Sequence, residues 1–179
     1  MNAKNIYDYT KGVQVPSRPF LDDECYGQSI RVNVNLCTDC LIVDREKATV
    51  WLPVRDMITA TGLWFIGGVW KAQRSITENM TQCFEDETSL IVDEDRFDII
   101  PFVNELGIPP QTKWATGRHD MHYFFAIELT AEERAVVSAK LINNEYDAEK
   151  GLQEFSREQL IEANVRSIVI DCFDAIMAK

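Results

Sequence analysis

The sequence lacks any apolar run near the roughly 20 residues that a membrane-spanning helix needs, so no membrane partner is predicted. Positive charge is scarce, with 18 Lys and Arg against 29 Asp and Glu and a formal net charge of −11. Binding to a nucleic-acid polymer depends on clusters of Lys and Arg, and this composition argues against it. Eight Gly, six Pro and 46% hydrophobic residues indicate an ordinary globular protein and exclude a disordered one.

Targeting signals and disulfide patterns are also missing. The N-terminal stretch MNAKNIYDYTKG has no apolar segment after its charges, so we expect no signal or transit peptide and a cytoplasmic protein. Five cysteines form an odd set, which favours free thiols over a disulfide framework. Cys37 and Cys40 make a CxxC, but without a second pair or a nearby histidine we interpret it as structural.

The chain length of 179 residues predicts one domain with one core. Residues 1–20 are polar and irregular, and Pro16 and Pro19 favour extended backbone there. We therefore expect an N-terminal arm over residues 1–20, which packs late or exchanges with a partner, and a single domain over residues 21–179.

Two neighbouring segments predict a β-hairpin. RVNVNLCTDCLIVD alternates polar and apolar residues before becoming continuously apolar, and ATVWLPVR resumes the apolar pattern after a polar REK turn. The turn is expected near Arg45 to Lys47. The residues from Asp56 to Gly62 are expected to form a loop.

Capping boxes mark the starts of two helices. Ser or Thr followed three residues later by Glu lets each side chain bond the backbone of the other. Ser75 with Glu78 predicts a helix over about residues 76–88, and Thr130 with Glu133 predicts a helix over AEERAVVSAKL.

The second half of the chain reads as strands followed by helices. FDIIPFV predicts a strand that lies at an edge or ends early because of Pro101, and MHYFFAIEL predicts a longer strand. The residues NELGIPPQTKWATGRHD between them are expected to form a long loop of the kind that often carries function. Ser156 caps a helix over REQLI, and an apolar stripe after Asn164 predicts a last helix in the core or at a dimer contact. These elements predict a mixed α+β sandwich.

The segment GGVWKAQRSITENMTQCFEDETSL resembles the Nudix box, a glycine turn and helix that close with R-E-u-x-E-E-x-G-u, where u is apolar. With the count started at Gly68, the length matches throughout and the Glu pair falls on Asp86 and Glu87. Three positions that are charged in the box differ here: Arg74 for Glu, Gln82 for Arg and Cys83 for Glu.

The flanking sequence is similar to the GDP-mannose mannosyl hydrolase branch of that superfamily, over about residues 20 to 175. LCTDCLIV, WLPVR, GLWFIGG, HYFFAIEL and GLQEFSREQL follow in the branch's order. Three features of the branch differ in this sequence. GLWFIGG lacks the branch's Pro, and Val69 stands where the branch has an Arg after the glycine pair. The branch's general-base histidine is missing from PFVNEL. The resemblance implies a Nudix-like α/β/α sandwich with a mixed central sheet, and a homodimer, which the arm also suggests.

A metal site is the chemistry that such a box implies, because its turn exposes carbonyl oxygens beside helix carboxylates. The candidate ligands are Glu87, with Asp86 and the carbonyl of Gly67 or Gly68 in support. Cys83 is a poor ligand for Mg²⁺, which prefers oxygen. The resemblance implies Mg²⁺, with Mn²⁺ as the alternative ion. The plainer interpretation is a solvated acidic helix end.

The remaining candidates concern substrate and proton transfer. Arg55 matches the branch's leaving-group Arg and would bind a diphosphate. Asp39 lies in an apolar strand, where a carboxylate needs a partner or a ligand, and Arg55 is a plausible partner. The only histidines are candidates for the missing base: His122 at a strand start, and His119 in the loop beside Arg118, a further candidate for substrate binding.

Trp64 is a candidate to stack on a nucleobase, with core packing as the alternative. Together these residues predict an Mg²⁺-dependent Nudix hydrolase of a nucleoside diphosphate-linked substrate, which the resemblance makes a nucleotide sugar attacked at carbon. One alternative is a catalytically inactive module that binds a nucleotide-like ligand or a protein partner, favoured by the lost charged positions. Attack at phosphorus is a further alternative, disfavoured by the missing carboxylate at Cys83.

Overall fold

A computed structural model describes residues 28–29, 33–57, 60–72, 74–108, 118–141, 145–147 and 149–178. The predicted N-terminal arm lies outside these ranges. Within them, no helix has both the length and the apolar character that crossing a membrane requires.

One mixed sheet organises the described residues. Its strands are β1 Asn35–Asp44, β2 Thr49–Met57, β3 Ala60–Leu63, β4 Ile66–Val69, β5 Asp98–Ile108, β6 Arg118–Glu128 and β7 Leu152–Phe155. The order is β3-β2-β1-β6-β5, with β4 paired to β1 and β7 paired to β2. β1 and β6 run parallel, and the other described pairs are antiparallel. The predicted mixed central sheet is confirmed.

The first predicted hairpin is confirmed, because β1 and β2 pair antiparallel around a turn at Arg45 to Ala48. The predicted loop from Asp56 to Gly62 is wrong. β2 continues to Met57 and pairs with β3 in a second hairpin. The apolar pattern stops near Arg55, but ladder hydrogen bonds between backbones extend a strand pair without an apolar pattern.

Within the described residues from Asn33 onward, four α-helices pack against the sheet: α1 Ile76–Thr88, α2 Ala131–Lys140, α3 Arg157–Glu162 and α4 Ser167–Met177. Reciprocal capping boxes begin the first three, at Ser75, Thr130 and Ser156. The predicted helix starts are therefore confirmed, since a capping box is a local interaction that needs no distant partner.

The helices lie in two layers, one on each face of the sheet. α1 and α2 pack on the face that carries Cys40, Ile42 and Phe125. α3 and α4 pack on the face that carries Leu41 and Phe124. Alternate residues of β1 and β6 thus supply two apolar clusters, and the α/β/α sandwich predicted from the sequence is confirmed.

The edge strand β5 is longer than predicted. Its pairing with β6 shifts register between Ile99 and Val103, around Pro101, and resumes as far as Ile108 opposite Arg118. A proline at an edge strand is tolerated there because it removes only one ladder donor. Eight of the 17 residues of the predicted loop before Met121 are therefore strand, which corrects the prediction at both ends, and residues 109–117 lie outside the described ranges.

Candidate functional site

The predicted glycine turn is wrong as a conformation, because Gly67 and Gly68, for which we keep the name glycine turn, lie within strand β4 and pair antiparallel with β1. Gly67 pairs with Asp39, and a Cβ placed on Gly67 would lie 2.1 Å from the backbone oxygen of Thr38. Only glycine allows this approach of the two strands. A Cβ on Gly68 would make ordinary contacts, 3.7 Å from Cys83 Sγ and 4.0 Å from Glu87 Oε1. The turn therefore brings the last part of α1 against β4.

Glu87, in the last turn of α1, lies at this turn. Its Oε2 accepts the backbone N–H of Gly67 at 3.2 Å and the hydroxyl of Tyr146. Burial raises the pKa of Glu87 to about 7, against the lowering effect of Tyr146 and of the positive charge on Arg55. A nearby cation would favour its ionised form.

Arg55 reaches the same place from β2. Its side chain is 14% exposed and its guanidinium donates to the Glu145 carboxylate. Its Cζ lies 5.7 Å from the centre of the Tyr146 ring. Its buried Nε has no hydrogen-bond partner among the described residues, so it retains a donor that a ligand could use.

Electrostatics keep Arg55 charged. Burial lowers its pKa, but the acidic groups of Tyr146, Glu145 and Glu87 raise it by more. The same burial, together with Glu87, raises the pKa of the Tyr146 hydroxyl well above its usual value. Tyr146 is therefore a hydrogen-bond donor to Glu87 at neutral pH.

Asp86, predicted to support the metal, points elsewhere. Its Oδ1 accepts from Gln82 Nε2 at 2.9 Å, and its Oδ2 lies 3.7 Å from Lys71 Nζ at a half-exposed position. Adjacent residues of a helix do not share a face, which accounts for its separation from Glu87. Of the two predicted carboxylate ligands, Glu87 alone lies at the glycine turn.

Cys83 lies one helical turn before Glu87 and is buried. Burial, and then the negative charge of Glu87, raise the pKa of its thiol to about 11. Asn79 donates to Thr38 Oγ1 at 2.8 Å and to Cys83 Sγ at 3.5 Å. The thiol is thus a packed, protonated group.

Asp39 and His122 form a pair that sequence reasoning missed. Asp39 accepts from His122 Nδ1, and both side chains are buried. The expected partnership of Asp39 with Arg55 is therefore wrong, since Arg55 bonds Glu145. His122 shares a sheet face with Phe124, opposite the α1 layer, so it does not face Glu87.

His119 lies in β6 and not in a loop. Gly67, Asp39 and Phe124 share one row across the sheet, and His119 precedes Phe124 by five residues. At the rise of a β-strand, this separation is about 16 Å. The geometry therefore does not bring His119 to the Glu87 carboxylate.

The other predicted binding residues are separated from the turn. Trp64 is 5% exposed, its ring meets Phe65 edge to face, and the Arg166 guanidinium lies 4.9 Å from its centre. These contacts favour packing over base stacking for Trp64. The backbone of Arg118 begins β6 opposite Ile108, at the far end of that strand pair.

Glu145 and Tyr146 were not anticipated from the sequence. They lie in the polar segment LINNEYDAEK, where no periodicity points to a site. A bridge between Tyr146 and Arg55, with the Asp147 N–H donating to the Val54 carbonyl at 2.9 Å, holds residues 145–147 against β2. The one available signal was an aromatic residue in a polar loop.

Comparisons with known proteins give structural matches only. No protein-family model and no curated protein sequence matches the chain. A Nudix hydrolase from Nitrosomonas europaea is similar with a TM-score of 0.54 and 13% identity, over 82% of this chain and 90% of that one. The E. coli dihydroneopterin triphosphate pyrophosphohydrolase matches with a TM-score of 0.54 and 10% identity, over 82% and 99%.

The Ap4A hydrolase of C. elegans is similar with a TM-score of 0.51 and 7% identity, over 82% of this chain and 98% of that one. At such identities the likeness concerns the fold alone. The chain has the fold of the Nudix hydrolases.

Proposed function

We propose that the protein hydrolyses a nucleoside diphosphate-linked substrate, with Glu87 as the protein ligand of one Mg²⁺ or Mn²⁺ ion and Arg55 as the group that binds the diphosphate. The observation that carries this proposal is the contact of Glu87 with both the Gly67 N–H and the Tyr146 hydroxyl, beneath the guanidinium of Arg55. It joins an ionisable carboxylate and a cation at one glycine turn.

The residues at the turn fit one hydrated ion. Mg²⁺ keeps several waters and is often held by one or two carboxylates together with substrate phosphates. Glu87 supplies one carboxylate, whose Oε1 faces Gly68, and the Cys83 thiol is not a suitable second ligand. When bound, the ion would neutralise negative charge on the diphosphate.

Arg55 supplies the second positive charge. The Nε of Arg55 is a donor without a partner among the described residues, and its Nη2 bonds the Glu145 carboxylate. A diphosphate oxygen would compete with Glu145 for this guanidinium, because both are anionic acceptors of the same geometry. The Glu145 side chain is 40% exposed, and once released it could accept a proton from an attacking water. We assign the proton transfer to Glu145, since neither histidine lies near Glu87.

A nucleotide sugar attacked at carbon is the substrate that we favour. Attack at a sugar carbon requires neutralisation of the diphosphate leaving group and not a water activated by several metal ions. A single carboxylate and an arginine meet that requirement. One carboxylate and one arginine would give little stabilisation to attack at phosphorus.

Turnover is tested by incubating the full chain with Mg²⁺ and a panel of nucleotide sugars, dinucleotides and nucleoside triphosphates, with product detection by mass. We expect product from a nucleotide sugar and none from the Glu87→Gln variant. Heavy-oxygen water should label the sugar and not the phosphate. If the unmodified chain forms no more product than Glu87→Gln from any substrate, the proposed hydrolase activity is refuted. Labelling of the phosphate would refute attack at carbon.

A second candidate is a binding module without turnover. Its support is the single carboxylate at the turn, with a pKa of about 7 in the absence of an ion. Such a module should bind a nucleoside diphosphate in calorimetry with an affinity that survives Glu87→Gln but not Arg55→Ala. Equal losses in both variants would argue against it.

A further inference from the structure

A second group of ligand atoms lies on the opposite face of the sheet, beneath α3 and α4. Cys37 of β1 is the direct partner of His122 in the parallel pairing with β6, and Asp120 precedes His122 on the same face. The Cys37 Sγ, one Asp120 oxygen and one His122 nitrogen all lie within 4.8 Å of one another. The three residues are 3%, 0% and 5% exposed.

The separations approach those of a tetrahedral metal site. Bonds of about 2.0–2.3 Å to nitrogen, oxygen and sulfur place neighbouring ligand atoms about 3.3–3.7 Å apart around a zinc ion. His122 Nε2 lies 3.9 Å from Asp120 Oδ2. Because the three atoms lie within 4.8 Å of one another, a contraction of the longest separation by up to about 1.1–1.5 Å would bring them to coordination distance, which side-chain rotation can supply.

Further contacts orient two of these three side chains. Asp39 accepts from His122 Nδ1, and this bond directs Nε2 toward Asp120. Asn35 Nδ2 donates to Asp120 Oδ1 at 2.9 Å, so that Oδ2 turns toward His122. The imidazole also stacks on Phe124, with ring centres 5.8 Å apart and planes inclined by 11°. A carboxylate on the far nitrogen of a ligating histidine is the usual support of a zinc ligand.

We propose that Cys37, Asp120 and His122 bind one zinc ion, with water or a small ligand in the fourth position. A thiol, an imidazole and a carboxylate together suit zinc and are a poor set for Mg²⁺ or Ca²⁺. Binding converts the Cys37 thiol to a thiolate and releases its proton to solvent. The site is separate from the glycine turn, and it stands whether or not the chain is a hydrolase.

The position of the ion gives it a structural consequence. It would clamp β1 to β6, the one parallel pair of the sheet, at residues whose neighbours on the same face belong to the core beneath α4. An ion that binds only the folded chain raises its stability by mass action. We therefore expect metal-stripped protein to unfold at a lower temperature than protein with equimolar Zn²⁺.

The test uses the full chain, stripped of metal and titrated with Zn²⁺ against a coloured chelator, and then with Co²⁺ as a spectroscopic substitute. We expect one Zn²⁺ per chain and, with Co²⁺, a thiolate-to-metal charge-transfer band in the near ultraviolet. Cys37→Ser should abolish the band. Cys40→Ala and Cys83→Ala remove buried thiols on the opposite face and should leave it intact.

Asp39→Asn changes only the support of His122 and should weaken zinc binding by about 10–100-fold while the band persists. This variant, together with the titration of the unmodified chain, gives a result even where Cys37→Ser does not fold. Absence of a stoichiometric zinc ion in the unmodified chain would overturn the proposal. So would a charge-transfer band that survives in folded Cys37→Ser or is lost in Cys83→Ala.

Discussion

The hydroxyl of Tyr146 donates a hydrogen bond to the carboxylate of Glu87, which lies 59 residues earlier in the chain. The ring of Tyr146 lies beside the guanidinium of Arg55, so that the three side chains act on one another's charge. Burial opposes ionisation of Glu87, whereas Tyr146 and Arg55 favour it. A change at any one of these residues should therefore be visible in the ionisation of Glu87.

Replacing Glu87 by Gln should stabilise the metal-free fold at alkaline pH. The pKa of Glu87 is raised from 4.5 to about 7, so the folded chain holds a proton that the unfolded chain has released between these values. The free energy of unfolding falls as pH rises through that window. In urea unfolding with a chelator, Glu87→Gln should exceed the unmodified chain by roughly 2–3 kcal/mol at most at pH 8, and by little at pH 4.

Glu85→Gln is the matched control, because Glu85 lies in the same helix and its carboxylate accepts from Gln82 Nε2 at 3.4 Å, whereas Glu87 accepts from Gly67. Its effect on unfolding should be small and similar at both pH values. A Glu87→Gln protein that is destabilised equally at both pH values would show that the buried carboxylate costs nothing on ionisation.

Replacing Tyr146 by Phe should move the acidic limb of the activity profile to higher pH. The hydroxyl lowers the pKa of Glu87, so its loss raises that pKa further above 7 and a higher pH is needed to ionise the proposed metal ligand. The limb of kcat/KM against pH should shift upward by roughly one pH unit or less. Tyr123→Phe, on β6, is the control and should leave the limb in place; a downward shift in Tyr146→Phe would contradict this account.

The parts of the fold that sequence predicted well are those with local causes. The capping box of Ser75 and Glu78 placed the start of α1, and the run over residues 31–44 contains β1, which the structure begins four residues later at Asn35. The extent of β2, β3 and β5 could not be predicted in the same way, because ladder pairing with a neighbour and not the local pattern decides where those strands end.

The site was predicted less completely because its partners come from distant segments. The box placed Gly67 and Glu87 together, as the structure does. The partner of Asp39 depends on the parallel pairing of β1 with β6, across 83 residues, and no local pattern distinguishes His122 from Arg55 for that role. Tyr146 joins the site through a bridge to Arg55 and a hydrogen bond to Glu87, both of which join residues far apart in the chain.

Replacing Arg55 by Lys should separate charge from geometry. Lysine keeps the positive charge but loses the planar fork and the buried Nε donor. We expect kcat/KM for a nucleotide sugar to fall by about 100-fold or more, as for loss of one oriented transition-state donor. Arg45→Lys is the control, since Arg45 forms surface ion pairs with Asp98 and Glu128 at 2.7 and 3.1 Å, and should change activity little. Equal activity of the two variants would show that Arg55 has no role in the reaction.

Alanine at the two glycines of the turn should have opposite consequences. In Gly67→Ala the new Cβ would meet the Thr38 oxygen at 2.1 Å and the Asp39 Cα at 2.8 Å, both backbone atoms of β1 that cannot rotate away. In Gly68→Ala the nearest atoms are side-chain atoms at 3.7 and 4.0 Å, which is ordinary contact. Urea unfolding should show a loss of about 3 kcal/mol or more for Gly67→Ala and less than about 1 kcal/mol for Gly68→Ala.

Because a displaced β4 also withdraws the Gly67 N–H from Glu87, the first variant should lose Mg²⁺ affinity in calorimetry under conditions where it remains folded. Equal stability of the two variants would mean that β4 does not approach β1 as closely as this pairing requires.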